Sequence, residues 1–328
     1  MKQIDLKETY KMFSVVIPLH NKANYIQKAI ESVLSQTMQA FELIIVDDGS
    51  TDNSLQKASR FKDVRIRTVQ QSNAGVSVTR NRGVEQANFP YIAFLDADDW
   101  WHSEFLMEMW RLILQFPQAC LYGSNYYYVK HGQHKVEYKG LPDGFTKGYV
   151  DYFAMYGRSF CVPFNCSFVV VQREAFLKAG GFCPALNLGE DLDLWIRLTL
   201  TGKVAYLNKP LAYSNQDVVA EHRAIGTHRL HDPARHILFN LDYLSSEEKA
   251  SVTLKHLMDG LRVRSLLPYY LSDEYTQQVM TILEKVDFAR HPFYYRFIYK
   301  MPKSLLKRYL QVRRSGANLK RFVLACRK

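Results

Sequence analysis

Three acidic clusters in this chain have residue types and spacing that could do chemistry. Asp96-Ala97-Asp98-Asp99 crowds three carboxylates into four residues. Two unit charges about 4 Å apart repel by roughly 4 kcal/mol at an effective dielectric near 20. A divalent cation that favours hard oxygen ligands, Mg²⁺ or Mn²⁺, removes that penalty and completes its shell with water and substrate phosphates. Taken alone, the same residues also make an Asp-rich turn that caps whatever follows at Trp100-Trp101. In Asp47-Asp48-Gly49-Ser50-Thr51-Asp52, a carboxylate can accept hydrogen bonds from a base N–H or a ribose hydroxyl, and Ser50 to Asp52 can equally serve as helix caps. Glu190-Asp191 opens a helical pattern after Asn187-Leu188-Gly189. The helix dipole favours an ionised carboxylate there unless burial opposes it, and an ionised carboxylate is what a general base needs. A simple helix cap is the alternative.

Cationic and backbone groups accompany these acids. Arg80-Asn81-Arg82 lies one helix before the Asp96 cluster, where guanidinium groups would balance phosphate charge, or would form a solvated helix face. Asn73 and Gly75 could present backbone to a ligand, or form an ordinary turn.

The elements that must position these residues follow from periodicity. Phe13 to Ile17, Phe41 to Val46, Val64 to Val69 and Tyr91 to Leu95 read as strands. A helix after Asn24 carries Ile26, Ile30, Val33 and Leu34 on one face, and Gly75 to Ala87 reads as a second helix. Strands alternating with helices predict βαβ units in a mostly parallel, Rossmann-like sheet flanked by helices. Ligands gather beyond the carboxyl ends of such strands, where Asp47-Asp48 and Asp96-Asp99 both fall. Further on, Tyr126 to Val129 and Val136 to Tyr138 read as a hairpin, Ser167 to Val171 as a strand, and Asp191 to Leu200 as a helix with Leu194, Leu198 and Trp195 inward. After residue 230 the pattern is helical. The expected organisation is two halves, 1–110 and 111–230, followed by a helical, basic region over 231–328.

Charge is informative once it is located. The formal net charge is +11 over 328 residues, from 43 Lys and Arg against 32 Asp and Glu. Residues 288–328 hold twelve of the basic residues and no acid, which leaves 31 against 32 elsewhere. The body is near neutral and the tail is basic, which argues against a nucleic-acid-binding globule. No run approaches the ~18–20 apolar residues that span a bilayer. The N-terminus does not read as a secretory signal. The cysteines, Cys120, Cys161, Cys166, Cys183 and Cys326, are odd in number and lack CxxC spacing, which speaks against a disulfide framework or a zinc site and for a reducing cytosol.

Together the motifs resemble the family 2 glycosyltransferases. The residues that carry the likeness are Ser14-Val15-Val16-Ile17-Pro18-x-His20-Asn21, Phe41 to Asp52, Asn73-x-Gly75, Arg80-Asn81-x-Gly83, Tyr91 to Asp99, Gly180-Gly181-Phe182 and Glu190-Asp191-x-Asp193-Leu194-Trp195-x-Arg197-Leu198. The match is strong over residues 13–100, good over 165–213 and absent after about 230. The resemblance implies a GT-A fold and an inverting transfer from a nucleotide-diphosphate sugar, UDP-linked by expectation, in cell-surface polysaccharide synthesis. It places Asp96, Ala97 and Asp98 at the donor ribose and metal–diphosphate, with Asp98 the closer metal ligand. Asp48, with backbone at Pro18 and Asn21, would meet the nucleotide base, Asp47 would support that loop, and Arg80 would lie near base or diphosphate. Asp191 would be the catalytic base with Glu190 beside it.

His222 is a further candidate metal ligand, and Trp195, Arg158 and Asn165 are candidate acceptor contacts. The implied partners are a nucleotide-sugar and a glycan or lipid-linked glycan. Apolar and aromatic residues interleaved with Lys and Arg from Phe293 onward suit an anionic membrane surface, with a nucleic-acid patch or an ordinary solvated helix as the alternatives; the expected location is cytoplasmic, and peripheral to the membrane on the first of these. Rival classes are a sugar-phosphate nucleotidyltransferase, a non-catalytic nucleotide-sugar binder and a nucleic-acid-binding protein. The first of these should carry a Gly-rich loop after the first strand, where this chain reads Pro18-Leu19-His20-Asn21.

Overall fold

The apolar run at residue 13 becomes β1 (Phe13–Leu19), a central strand with parallel neighbours on both sides. In the computed structural model, residues 12–219 and 230–311 are described. From β1 the chain passes through α1 (Ile26–Leu34), β2 (Phe41–Asp48), α2 (Ser54–Ala58), β3 (Ile66–Gln71), α3 (Val76–Glu85) and β4 (Tyr91–Phe94). Strands β1 to β4 are parallel and lie in the order β3-β2-β1-β4, so all four carboxyl ends open on one edge of the sheet. Helix α1 buries Ile26, Ala29, Ile30 and Val33, the face its 3.6-residue period prescribes. Strand β3 starts two residues later than its apolar alternation suggests. Asp63 accepts hydrogen bonds from the backbone N–H and guanidinium of Arg65, and this local turn leaves Val64 in solvent.

The sheet continues through β5 (Trp100–Trp101), α4 (Phe105–Gln115), β6 (Ala119–Lys130), β7 (Gln133–Lys135), β8 (Lys147–Val150), α5 (Tyr152–Ser159), β9 (Val169–Gln172), α6 (Arg173–Lys178), α7 (Glu190–Thr201) and β10 (Lys203–Asn215). Its order beyond β4 is β9-β6-β10-β5, with β9 antiparallel to both of its neighbours. The expected hairpin return at Val136 to Tyr138 is instead β7, which pairs with β6 after a two-residue turn. A longer turn is unnecessary because antiparallel strands close with two residues.

Helix α3 lies close against β1 through Gly83. A Cβ built there would come within 2.3 Å of Val16 Cγ1. Gly83→Ala is therefore expected to cost about 1–3 kcal/mol by overpacking. Thermal melting checks this, with an expected loss of roughly 2–4 °C per kcal/mol for a domain of this size.

The chain divides into two compact units, Met1–Asn240 and Leu241–Lys328. The second is helical, with α8 (Ser245–Ala250), α9 (Val252–Ser265), α10 (Leu267–Leu271), α11 (Thr276–Glu284) and α12 (Phe293–Ile298). Within it, Arg262 forms a two-pronged ion pair with Glu248 at 2.6 and 2.7 Å, while buried Asp259 takes Lys255. Among the described residues no helix is long and apolar enough to cross a membrane.

Candidate functional site

The carboxyl ends of β1 and β2 are laced together by side chains. Asn21, held at φ +50°, accepts the Thr51 N–H at 2.8 Å and the Asp52 N–H at 3.3 Å. The N–H of Lys22 donates to Ser54 Oγ at 2.7 Å, and His20 Nδ1 lies 2.8 Å from the Asp48 carbonyl. Asp48 spends both carboxylate oxygens on the loop before α3, accepting from Gln71, from the Ala74 N–H and from the Gly75 N–H at 2.8–2.9 Å. Asp47 is buried and its Oδ1 has no hydrogen-bond partner among the described residues. Asp48 is thus the residue that ties the loop, and Asp47 holds the carboxylate oxygen left over. Pro18 stays inside β1, in register with Val46.

Beyond β4 the three clustered carboxylates go different ways. Asp96 pairs with Arg80 Nη2 at 2.7 Å, and its N–H donates to Ser167 Oγ. Asp98 pairs with Lys22 Nζ at 2.6 Å. It lines a cavity of about 230 Å³ together with Tyr25, Lys28, Trp100 and Asn215. Asp99 is buried and accepts the Asn215 N–H at 2.8 Å. Burial, then the charges of Asp98 and Asp96, push its pKa well above the usual carboxylate range. Asp99 therefore fastens β10 to the turn, and Ala97 is buried beneath it.

Arg80 joins two of the acidic motifs. It is buried, and its second arm reaches Glu190 Oε1 at 3.0 Å while its guanidinium lies 5.2 Å from the centre of the Phe182 ring. Glu190 and Asp191 open α7 behind Gly189, which has φ +83°. A Cβ on Gly189 would meet Ile237 Cγ2 at 2.3 Å, so both the left-handed conformation and the contact require glycine. His236 bridges to Leu188 beside this entrance, and the N–H groups of Asn187 and Ile237 donate to the Arg235 and Leu188 carbonyls.

Asp191 is half-buried, and its Oδ1 accepts the N–H of Leu192 at 2.7 Å. Among the described residues, no Lys or Arg forms an ion pair with it. Burial first and the Glu190 charge second raise its pKa to about 7, with the Leu192 N–H and Arg80 pulling the other way. The sequence argument from the helix N-terminus favoured a low value, and burial opposes that here.

The three candidate acceptor contacts stand in different surroundings. Trp195 lies in the core, edge-on to Phe182, because the inward face of α7 that carries Leu194 also carries it. Asn165 uses its side chain to cap the turn at Cys166–Phe168, and Arg158 is exposed with Nη1 on the Gly140 carbonyl. His222 lies outside the described residues. Lys22, Ser167 and Ile237 were not singled out from the sequence, since a loop lysine, a buried serine and an isoleucine carry no motif of their own.

As to a metal, no group of three His, Cys, Asp or Glu that could hold one occurs among the described residues. The donor set still fits a hard divalent cation. Asp98 offers one partly exposed carboxylate on the cavity wall, and Mg²⁺ and similar ions use one or two carboxylates plus substrate phosphates. Each carboxylate already holds a cation, Asp96 the Arg80 guanidinium and Asp98 the Lys22 ammonium, and of the two Asp98 lines the cavity.

Comparison with known proteins bears on family and fold. The family model described as Glycosyl transferase family 2 matches residues 14–172. Glycosyltransferase GlyA of Streptococcus pneumoniae is 30% identical over 207 residues, 60% of this chain and 30% of that protein. The putative teichuronic acid biosynthesis glycosyltransferase TuaG of Bacillus subtilis is 30% identical over 206 residues, 61% of this chain and 77% of that protein. The chain spans about a third of the length of the first curated relatives it matches. In structure it is similar to residues 1–349 of S. aureus TarS in complex with UDP-GlcNAc. The TM-score is 0.67 at 18% identity, covering 85% of this chain and 82% of that one. That likeness is one of fold, and the fold is the expected GT-A arrangement.

Proposed function

Because the chain belongs to glycosyl transferase family 2, we propose that it transfers a sugar from a UDP-sugar to a hydroxyl of a glycan or lipid-linked glycan, inverting the anomeric carbon, in the synthesis of a cell-surface polysaccharide. The UDP-GlcNAc complex of TarS and the teichuronic acid role in the name of TuaG support the donor and the product class. The hexosyl or N-acetylhexosaminyl identity of the sugar is part of the same reading.

One observation carries it. Asp191 is a half-buried carboxylate, tied through Glu190 and Arg80 to Asp96, with its pKa raised to about 7. A base poised near the working pH removes the acceptor proton as the oxygen attacks, a contribution of typically 10²–10⁴-fold. The residues laced at the ends of β1 and β2 would hold the nucleotide, and the partnerless Oδ1 of Asp47 suits a donor N–H or hydroxyl from it. Asp98 would hold Mn²⁺ or Mg²⁺ jointly with the diphosphate. Such an ion, when bound, offsets charge on the departing nucleoside diphosphate, so no protein acid is needed there. Lys22, now on Asp98, follows β1 next to Asn21 and would meet a phosphate oxygen instead.

The pH profile of kcat/KM tests the reading. Since the ionised form of Asp191 is the active one, kcat/KM should rise about tenfold per pH unit below the apparent pKa and level off above about 7. A panel of UDP-sugars assayed for donor hydrolysis identifies the sugar. A chain that binds UDP but hydrolyses none of the panel at any pH would be a binding module and not a transferase.

A further inference from the structure

The C-terminal unit carries a basic surface set with exposed aromatic rings. From Phe288 to Gln311 there are six Lys or Arg and no Asp or Glu. The aromatic residues on and around α12 divide into two sets. Tyr299 is buried, with its hydroxyl donating to the Val263 carbonyl at 3.1 Å and its carbonyl accepting from the Tyr270 hydroxyl at 3.2 Å. Tyr295 lies 5.0 Å from the Arg264 guanidinium. These anchor the helix to its own unit.

The other set points outward. Phe293, Tyr294 and Phe297 are 79%, 50% and 55% exposed. Phe293 and Phe297 are four residues apart and so share one helical face. The pattern repeats over helical residues 303–311, where Leu305 and Tyr309 are exposed, again four apart, while Leu306 between them is buried. The same segment exposes Arg296, Lys300, Lys307 and Arg308, while Arg290 pairs with Asp287 at 3.0 Å.

Exposed aromatic rings among cations, with no acid in the segment, match the chemistry of an anionic lipid headgroup layer. The rings settle at the boundary with the acyl chains, and the basic groups meet lipid phosphates. We propose that this face of α12 and of helical residues 303–311 seats the protein on an anionic bilayer. The proposal deepens the reading of the acceptor as lipid-linked and depends on it only for its purpose. Of the residues expected to contribute from sequence, Tyr295 and Tyr299 are structural, while Leu319, Phe322, Val323 and Leu324 lie outside the described residues.

The test is flotation of the full chain with phosphatidylglycerol or phosphatidylcholine vesicles, alongside UDP-sugar hydrolysis in solution. The wild type should float with phosphatidylglycerol, lose that association as salt rises, and associate little with phosphatidylcholine. Phe293→Ser with Phe297→Ser should weaken partitioning by more than about tenfold while leaving hydrolysis and the melting temperature unchanged. Arg296→Gln and Lys300→Gln should each cost about fivefold. Equal flotation with both lipids, no loss in the double serine variant, or displacement from vesicles by single-stranded RNA would overturn the proposal. Absence of hydrolysis in a wild type that still floats would instead count against the transferase reading alone.

Discussion

Asp191→Asn is expected to lower turnover at least about a hundredfold while leaving UDP affinity close to wild type. The amide keeps the shape of the carboxyl group and can still accept the Leu192 N–H, but it cannot take a proton. Stability should move the other way. The unfolded Asp titrates near 3.8, the folded one near 7. Below the lower value both states hold the proton, and the group contributes nothing. As pH rises the unfolded chain ionises first, so the folded state is progressively disfavoured, and above about 7 it bears the whole cost. The Asn variant should therefore be more stable than wild type at pH 8 and indistinguishable from it at pH 3.5. Chemical denaturation at the two pH values, paired with a turnover assay, checks both halves. A variant that keeps near wild-type turnover removes Asp191 from the role of base.

Arg80→Met should produce the largest loss of stability in the site, about 3–5 kcal/mol. The substitution keeps an unbranched chain able to fill part of the space beside Phe182, yet it leaves the Asp96 and Glu190 carboxylates without their shared cation. It also removes the positive charge that holds down the pKa of Asp191, so the acid limb of kcat/KM should move to higher pH. Arg80→Lys separates charge from geometry. A single ammonium restores a positive charge but cannot span two carboxylates as the planar fork does, so it should rescue part of the stability. If the Met variant melts like wild type, the two acidic motifs are not coupled through this residue.

How much of this could be read beforehand depends on where each residue stood. Asp47, Asp48, Asp96 and Asp98 were legible because strand period, strand end and acidic cluster coincide, and a parallel sheet delivers such ends to one edge. Asp191 stood out by its motif and Glu190 beside it is plain in the sequence, but the burial that raises its pKa most is a tertiary fact. Asp47 and Asp48 look interchangeable as text. Only the fold of the loop before α3 shows that Asp48 ties the backbone while Asp47 keeps a free oxygen. Trp195 was ambiguous for a similar reason: one helix face positions both a motif and the core, and the core took the indole. Lys22 pairs with a carboxylate 76 positions away, and no local pattern encodes that distance.

Titration of UDP into the wild type and into Asp98→Ala, each with and without Mn²⁺, bears most directly on the central claim. Tight UDP binding by the wild type only when Mn²⁺ is present, with that metal dependence lost in the variant, is the predicted result. UDP affinity that is indifferent both to the metal and to Asp98 would contradict the account.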